Sequence, residues 1–131
     1  MGRDVRLSQE GFNPFAESIG LEFTVVEEGY SQCKLEVTEP LMNPHDVLSG
    51  RVLYTMADVG MGTAIYPTLE DDALPSTIEV TINYFRPVDT GPVTCETTLV
   101  NRSRSIAYCR STLSTEREVA RATGTFFLTT Q

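Results

Sequence analysis

Asp58 is the residue whose type and position most clearly suggest chemistry, because it is the only charged residue between Val52 and Leu69. A carboxylate buried in an uncharged segment costs several kcal/mol unless it is paired or hydrogen-bonded. Asp58 could therefore be a hydrogen-bonded polar group in the core or at a subunit contact. Alternatively, it could be a general base or a nucleophile. The segment by itself leaves both interpretations open.

The segment around Asp58, residues 50–66, is predicted to be a helix that ends before Pro67. Its residues are apolar or small on nearly every side, which is typical of a helix that is buried all round. The preceding residues, 39–49, contain two prolines and show no periodicity, so they predict an ordered loop. Loops that a rigid scaffold holds in place often carry functional groups.

The rest of the chain is predicted to be mostly strand. Residues 11–20 form a short helix or turn, with Asn13 as N-cap and Pro14 at the first helical position. Residues 77–86 alternate between apolar and polar side chains, which predicts that one face carries Ile78, Val80, Ile82 and Tyr84. Composition and turn signals predict five other strands at 21–27, 31–37, 93–101, 106–115 and 119–129.

The predicted order is two strands, one long helix and four strands, without the alternation of strand and helix that builds a parallel sheet. The predicted fold class is therefore α+β, with an antiparallel six-stranded sheet curled around one long central helix. At 131 residues and 40% hydrophobic content, the chain suits one domain with a proper core. We expect residues 1–131 to form a single domain.

Composition argues against several classes of partner and site. The net charge of −8 at pH 7 opposes binding to nucleic acid or to anionic membranes. The three cysteines form no Cys-x-x-Cys pair, so we expect neither disulfides nor a thiolate metal site, and we expect a reducing, cytoplasmic location. No motif has metal-ligand spacing or the form of a phosphate-binding loop, which predicts chemistry without a metal or cofactor.

The loop and helix around Asp58 resemble those of the hot-dog-fold thioesterases of the phenylacetate-degradation type. These proteins carry an asparagine, a His-Gly-Gly triplet and an acid where their central helix begins. Here Asn43 matches the asparagine, Ser49 and Gly50 stand at His-Gly, Arg51 replaces the second glycine, and Asp58 matches the acid. The resemblance continues in residues 76–87, Gly91, 102–104 and 120–126, and covers roughly residues 21–129.

The resemblance implies a hot-dog fold and hydrolysis of an acyl-CoA thioester to a free acid and coenzyme A. Asp58 would be the general base or nucleophile, and the unpaired amide of Gly50 at the helix N-terminus would bind the developing oxyanion. Thr77 would hold the attacking water or the base, across a dimer interface, or it is simply a β-branched strand residue. Asn43 would orient water or bind the same oxygen, or it simply forms a turn.

The resemblance also implies that other residues bind the substrate. Ser49 and Arg51 stand in the loop that surrounds the thioester carbonyl in the family, and both depart from its pattern. Arg102 and Arg104, in a predicted turn, would bind the coenzyme A phosphates or belong to a solvated turn. His45, the only histidine, stands four residues before the position of the family's histidine, so that role is not transferred to it.

The resemblance also implies a homodimer or homotetramer, because the family builds each active site from two subunits. A second hypothesis is a module that binds acyl-CoA without turnover, in which Ser49 and Arg51 have removed the productive geometry. A third is a hydratase or dehydratase on the same fold. That chemistry usually needs a second acid or base near Asp58, and only the distant His45 is available.

Overall fold

The computed structural model describes residues 13–70 and 72–130. Within these residues the chain forms two α-helices and six strands, with 3₁₀ turns at Glu39–Leu41 and Tyr66–Thr68. The bounds are α1 Pro14–Ser18, β1 Glu22–Glu27, β2 Tyr30–Leu35, α2 Gly50–Ile65, β3 Ala73–Tyr84, β4 Val93–Arg102, β5 Ile106–Ser114 and β6 Glu118–Thr130. This is the order of elements that the sequence predicts.

These strands join one sheet in the order β1-β2-β4-β5-β6-β3, and every pair of neighbours is antiparallel. β4, β5 and β6 form a meander, whereas β3 pairs with β6 and therefore lies at an edge of the sheet. The long helix α2 packs against the sheet and contacts all six strands. The predicted α+β fold, with a six-stranded antiparallel sheet around one long helix, is confirmed.

The short helix α1 begins as the sequence predicts. Asn13 caps it, because its side chain accepts a hydrogen bond of 3.2 Å from the Ala16 amide, and Pro14 follows in the first turn. Gly20 comes after the helix with a φ of +83°, a left-handed conformation that suits glycine beyond a helix end. Residues 11 and 12 of the predicted helix lie outside the described part of the chain.

One face of helix α2 is open, so the prediction that this helix is buried all round is wrong. Met56, Met61 and Ile65 are fully buried against the sheet. Tyr54 is 37% exposed, and Asp58, about one turn further on, is half-buried. The reason is that a single sheet covers one side of a helix, and no second layer among the described residues covers the other.

The covered side of α2 lies very close to the sheet at Gly60. Ser31 Oγ donates a hydrogen bond of 2.7 Å to the Gly60 carbonyl oxygen, and Thr97 and Ser111 share a buried hydrogen bond of 2.7 Å just below. A Cβ on Gly60 would lie only 2.8 Å from Thr97 Oγ1. The helix therefore needs glycine here, and the buried hydroxyl groups have hydrogen-bond partners.

Strand β3 departs from its predicted form in two ways. It begins at Ala73, four residues earlier than predicted, and it carries a β-bulge between Thr77 and Glu79. Ile78 has no partner on β6 and is 57% exposed, so the prediction that it shares a face with Val80 is wrong. Because a bulge adds one residue, Thr77 takes the place that strict alternation assigns to Ile78.

The other strands agree with the predicted bounds to within two residues at each end. Cys33, Cys95 and Cys109 are buried and free. In the described residues, no helix has both the length and the apolar character that crossing a membrane requires.

Candidate active site

The carboxylate of Asp58 is held by Thr77. The Thr77 hydroxyl donates a hydrogen bond of 2.9 Å to Asp58 Oδ1, joining the middle of α2 to the bulge of β3. The family resemblance implies this contact across a subunit interface, but it lies within one chain. The reason is that the bulge turns Thr77 toward the helix that packs beside β3.

Asp58 and Thr77 line a cavity of about 280 Å³. Its walls are largely apolar and include Val59, Leu74 and the buried ring of Phe126. Apolar walls with a few polar groups are typical of small-molecule sites. The arrangement can therefore place an uncharged organic group next to a carboxylate of fixed orientation.

A second cavity, of about 830 Å³, lies at the N-terminus of α2. Asn43, Ser49, Gly50 and Arg51 all line it, so the structure brings four of the predicted site residues together. Ser49 is the N-cap of the helix, and its hydroxyl accepts a hydrogen bond of 3.3 Å from the Arg51 amide. The family resemblance does not indicate this capping role.

Asn43 is a turn-forming residue, in agreement with one of its two interpretations. Its side-chain Oδ1 accepts a hydrogen bond of 2.8 Å from the backbone amide of His45. Its backbone amide donates to the Val47 carbonyl oxygen at 2.8 Å. Its side-chain nitrogen donates to none of the described residues. Because Asn43 also lines the larger cavity, this nitrogen can still donate to a ligand.

The backbone N–H of Gly50 has no hydrogen-bond partner among the described residues, whereas the position of a Cβ on Gly50 is blocked by Tyr84. Within the described part of the chain, the Gly50 N–H donates to no acceptor, as is usual in the first turn of a helix. A Cβ on Gly50 would lie 3.1 Å from Cζ of Tyr84. The ring of Tyr84 therefore occupies the space next to the Gly50 Cα, and a substrate oxygen cannot approach Gly50 from that side.

Tyr84 is a site residue that sequence reasoning missed. Its hydroxyl donates a hydrogen bond of 2.8 Å to the Gly50 carbonyl oxygen, and its ring lines the larger cavity. Burial and, to a smaller extent, the neighbouring Tyr54 raise the pKa of Tyr84 above its ordinary value, so the hydroxyl keeps its proton. The predicted alternation of β3 places Tyr84 on one face with Val80, which is the signal that could have indicated it.

Within one chain, Gly50 and Asn43 lie apart from the other predicted catalytic residues, Asp58 and Thr77. Gly50 and Asp58 are eight residues apart in one helix, which separates them by about 12 Å. The cavity that contains Asp58 and the cavity that contains Gly50 share no lining residue. A single chain therefore cannot place one thioester against both groups.

The predicted arginines lie apart from both cavities, except for Arg51. Arg102 and Arg104 are exposed at the β4–β5 turn, and neither forms an ion pair with a described residue. Strand pairing connects Arg102 to Thr77 through Ala107 and Phe126, so Arg102 and Thr77 lie at the same end of the sheet.

His45 is exposed and lines neither cavity. Among the described residues, no cluster of three or more His, Cys, Asp or Glu side chains could hold a metal ion.

Comparison with known protein sequences places these residues in a family. Residues 50–127 match the family model described as the acyl-CoA thioesterase N-terminal domain. A protein from Saccharolobus solfataricus that is provisionally named an esterase is 31% identical over 88 residues, which are 67% of this chain and 58% of that protein. The match thus spans less than two thirds of that relative's length.

Two solved structures are similar over most of the chain. A thioesterase from Haemophilus influenzae is 25% identical, with a TM-score of 0.88 over 95% of this chain and 88% of that chain. A mutant of the phenylacetic acid degradation protein PaaI from Thermus thermophilus is 29% identical, with a TM-score of 0.82 over 88% of this chain and 98% of that chain. The matched family segment contains Gly50, Asp58, Thr77 and Tyr84.

Proposed function

Since this chain belongs to the acyl-CoA thioesterase family, we propose that it hydrolyses an acyl-CoA thioester to a free acid and coenzyme A. The observation that carries the proposal is the position of Asp58, whose carboxylate lines a largely apolar cavity and accepts a 2.9 Å hydrogen bond from Thr77. A carboxylate that is held in one orientation beside an apolar cavity suits a general base or a nucleophile.

In the proposed reaction, water attacks the thioester carbonyl carbon while Asp58 takes one of its protons. The N–H of Gly50 binds the oxyanion that forms. When the oxyanion collapses, the carbon–sulfur bond breaks and the departing thiolate of coenzyme A receives the proton from Asp58. Direct attack by Asp58, followed by hydrolysis of the mixed anhydride, would use the same groups.

We propose that each active site combines two copies of the chain. The separation of about 12 Å along one helix keeps Gly50 away from its own Asp58. A twofold axis that relates two β3 strands would make the two α2 helices antiparallel. Gly50 and Asn43 of one copy would then approach Asp58 and Thr77 of the other.

The edge strand β3 supports this mode of association. An unpaired strand edge offers backbone donors and acceptors to a second strand. Several large apolar side chains on or next to β3 are 42–57% exposed: Leu74, Ile78, Tyr84 and Phe85. Pairing through β3 would cover this apolar surface and the open face of α2 together. The proposed assembly is a homodimer, or a homotetramer built from two such dimers.

The remaining predicted residues would bind the substrate. The side-chain nitrogen of Asn43 would donate to the thioester oxygen or to the attacking water, since it lines the cavity beside Gly50. Ser49 and Arg51 would contact the substrate in the same cavity. Arg102 and Arg104 would bind the coenzyme A phosphates, because their exposed guanidinium groups can donate to phosphate oxygens and a chain of net charge −8 needs local cations to bind an anionic ligand.

We also propose that the protein works in a reducing compartment such as the cytoplasm. The cysteine pattern of the sequence supports this proposal. Its three cysteines are odd in number, widely spaced and form no Cys-x-x-Cys pair, which is not the pattern of a disulfide framework.

The proposal is tested by thiol release from purified protein with short-chain, medium-chain and aromatic acyl-CoAs. Turnover of at least one class is expected. Tight binding of acyl-CoA without turnover of any class would overturn the proposal and would favour the non-catalytic binding module instead.

A further inference from the structure

Tyr84 contacts Gly50 in two ways, although the two residues are 34 positions apart in the sequence. Its hydroxyl donates a hydrogen bond of 2.8 Å to the Gly50 carbonyl oxygen. Its ring lies close enough to the glycine that a Cβ there would come within 3.1 Å of Cζ and 3.3 Å of Cε1. The edge strand β3 is thereby attached to the first residue of helix α2.

Gly50 needs an attachment of this kind. Glycine has no Cβ to restrict its backbone angles, and the N–H of a first helical residue has no partner within the helix. The backbone next to Gly50 is held by hydrogen bonds from the Ser49 amide to the Leu41 carbonyl oxygen at 2.9 Å and from the Val52 amide to the Ser49 carbonyl oxygen at 3.0 Å. The bond from the Arg51 amide to Ser49 Oγ is longer, at 3.3 Å. Tyr84 adds a short bond, of 2.8 Å, to Gly50 itself.

We propose that Tyr84 is a positioning residue: it holds the Gly50 carbonyl group and packs against the Gly50 Cα, which limits rotation at Gly50 and so keeps the N–H of the preceding peptide oriented toward the oxyanion. This inference rests on the proposed hydrolysis and adds a residue to it. Preorganised donors stabilise a transition state because they need not reorient when charge develops. Tyr84 acts through Gly50 and takes no part in proton transfer.

The position of Tyr84 agrees with this role. The ring forms part of the wall of two cavities at the N-terminus of α2, of about 830 and 270 Å³, and Gly50 lines both as well. Tyr84 is 50% exposed in the single chain and belongs to the apolar surface that the proposed β3 pairing covers, so the first test must keep its ring and remove only its hydroxyl. Losing its hydroxyl should change the local geometry at Gly50 and leave the rest of the fold intact.

The test is Tyr84→Phe, which removes the hydroxyl and keeps the ring. We expect kcat to fall by about threefold to tenfold, the range for loss of one neutral hydrogen bond, with KM nearly unchanged. The matched control is Tyr108→Phe, because Tyr108 is 40% exposed on β5 and lines none of these cavities. This control should keep the wild-type kcat, and both variants should keep the wild-type melting temperature.

A thioether analogue of the best acyl-CoA separates positioning from binding. It has no thioester carbonyl to form an oxyanion, so Tyr84→Phe should bind it as tightly as the wild type does. A wild-type kcat in Tyr84→Phe would overturn the inference, and so would an equal loss of kcat and analogue binding. If the wild type itself turned over no thioester, the hydrolase proposal would fail first, and the role of Tyr84 would fail with it.

A double-mutant cycle adds a second readout. Gly50→Ala places a methyl group against the Tyr84 ring, so it should displace Tyr84 and lower kcat. Adding Gly50→Ala to Tyr84→Ala should lower kcat much less, because no ring remains to be displaced. Equal effects of Gly50→Ala in the two backgrounds would show that Gly50 acts without Tyr84 and would overturn the inference.

Discussion

Thr77 reaches Asp58 because strand β3 carries one extra residue directly after it. Thr77 pairs with Phe126 and Glu79 pairs with Thr125, so Ile78 is left without a partner. The bulge turns the Thr77 hydroxyl toward α2, where it donates a hydrogen bond of 2.9 Å to the Asp58 carboxylate. Bulges are common beside active sites because they redirect a side chain in this way.

Replacement of the Thr77 hydroxyl should impair turnover more than folding. Thr77→Val keeps the shape of the side chain and removes the bond to Asp58, and we expect kcat to fall by about tenfold to a hundredfold, since hydrogen bonds to charged groups contribute roughly 1.5–3 kcal/mol. Thr77→Ser keeps the hydroxyl and should retain most of the activity. Steady-state kinetics of the two variants provides the check, and equal activity in both would contradict the role of the hydroxyl.

Mixed dimers test whether the active site combines two chains. Asp58→Asn and Asn43→Ala should each be nearly inactive alone. After unfolding and refolding together in equal amounts, half of the dimers would be mixed, and one of the two sites in each would be intact, restoring about a quarter of wild-type activity. Activity that stays at the level of the separate variants would contradict a shared site.

Two glycines of α2 should respond to alanine in opposite directions. Gly60→Ala should lower the free energy of unfolding by about 1–3 kcal/mol, because its Cβ would lie 2.8 Å from Thr97 Oγ1 in the buried contact with the sheet. Gly62 has nothing within 4 Å of the same position, so Gly62→Ala should leave stability unchanged or raise it by up to about 1 kcal/mol. Urea unfolding of both variants measures the difference, and equal effects would contradict the close approach at Gly60.

The three cysteines should not react in the folded protein. Burial raises the pKa of the Cys109 thiol to about 12. The hydrogen bond with Cys33 lowers the pKa of Cys95, but the side chains of Cys33 and Cys95 are fully buried, out of reach of a reagent. Since the thiolate is the reactive form, a thiol reagent should label no cysteine in native protein and all three after denaturation. Rapid stoichiometric labelling of native protein would contradict this burial, and it would also interfere with an assay that follows thiol release.

The order of the elements could be predicted because it depends on local signals. Alternation, turn residues and Pro67 mark the strands and the helix within short windows of sequence. The bulge at Ile78 could not be predicted, because it depends on how β3 pairs with β6, some fifty residues later in the chain. The bond between Tyr84 and Gly50 is a tertiary contact of the same kind.

The open face of α2 was mispredicted for a related reason. Small and apolar residues on all sides of a helix indicate contact on all sides, but they do not tell whether one chain or two provide it. The resemblance to a family led to Asp58, Thr77 and Gly50, and the structure adds that Gly50 and Asp58 of one chain lie in separate cavities.

The most direct test of the central claim compares wild type with Asp58→Asn in thiol release from the best acyl-CoA. The substitution keeps the size of the side chain and removes its basicity, so kcat should fall by about 10²–10⁴-fold, the usual contribution of a general base. Circular dichroism and the melting temperature should stay at wild-type values. A folded Asp58→Asn variant with turnover close to wild type would contradict the account.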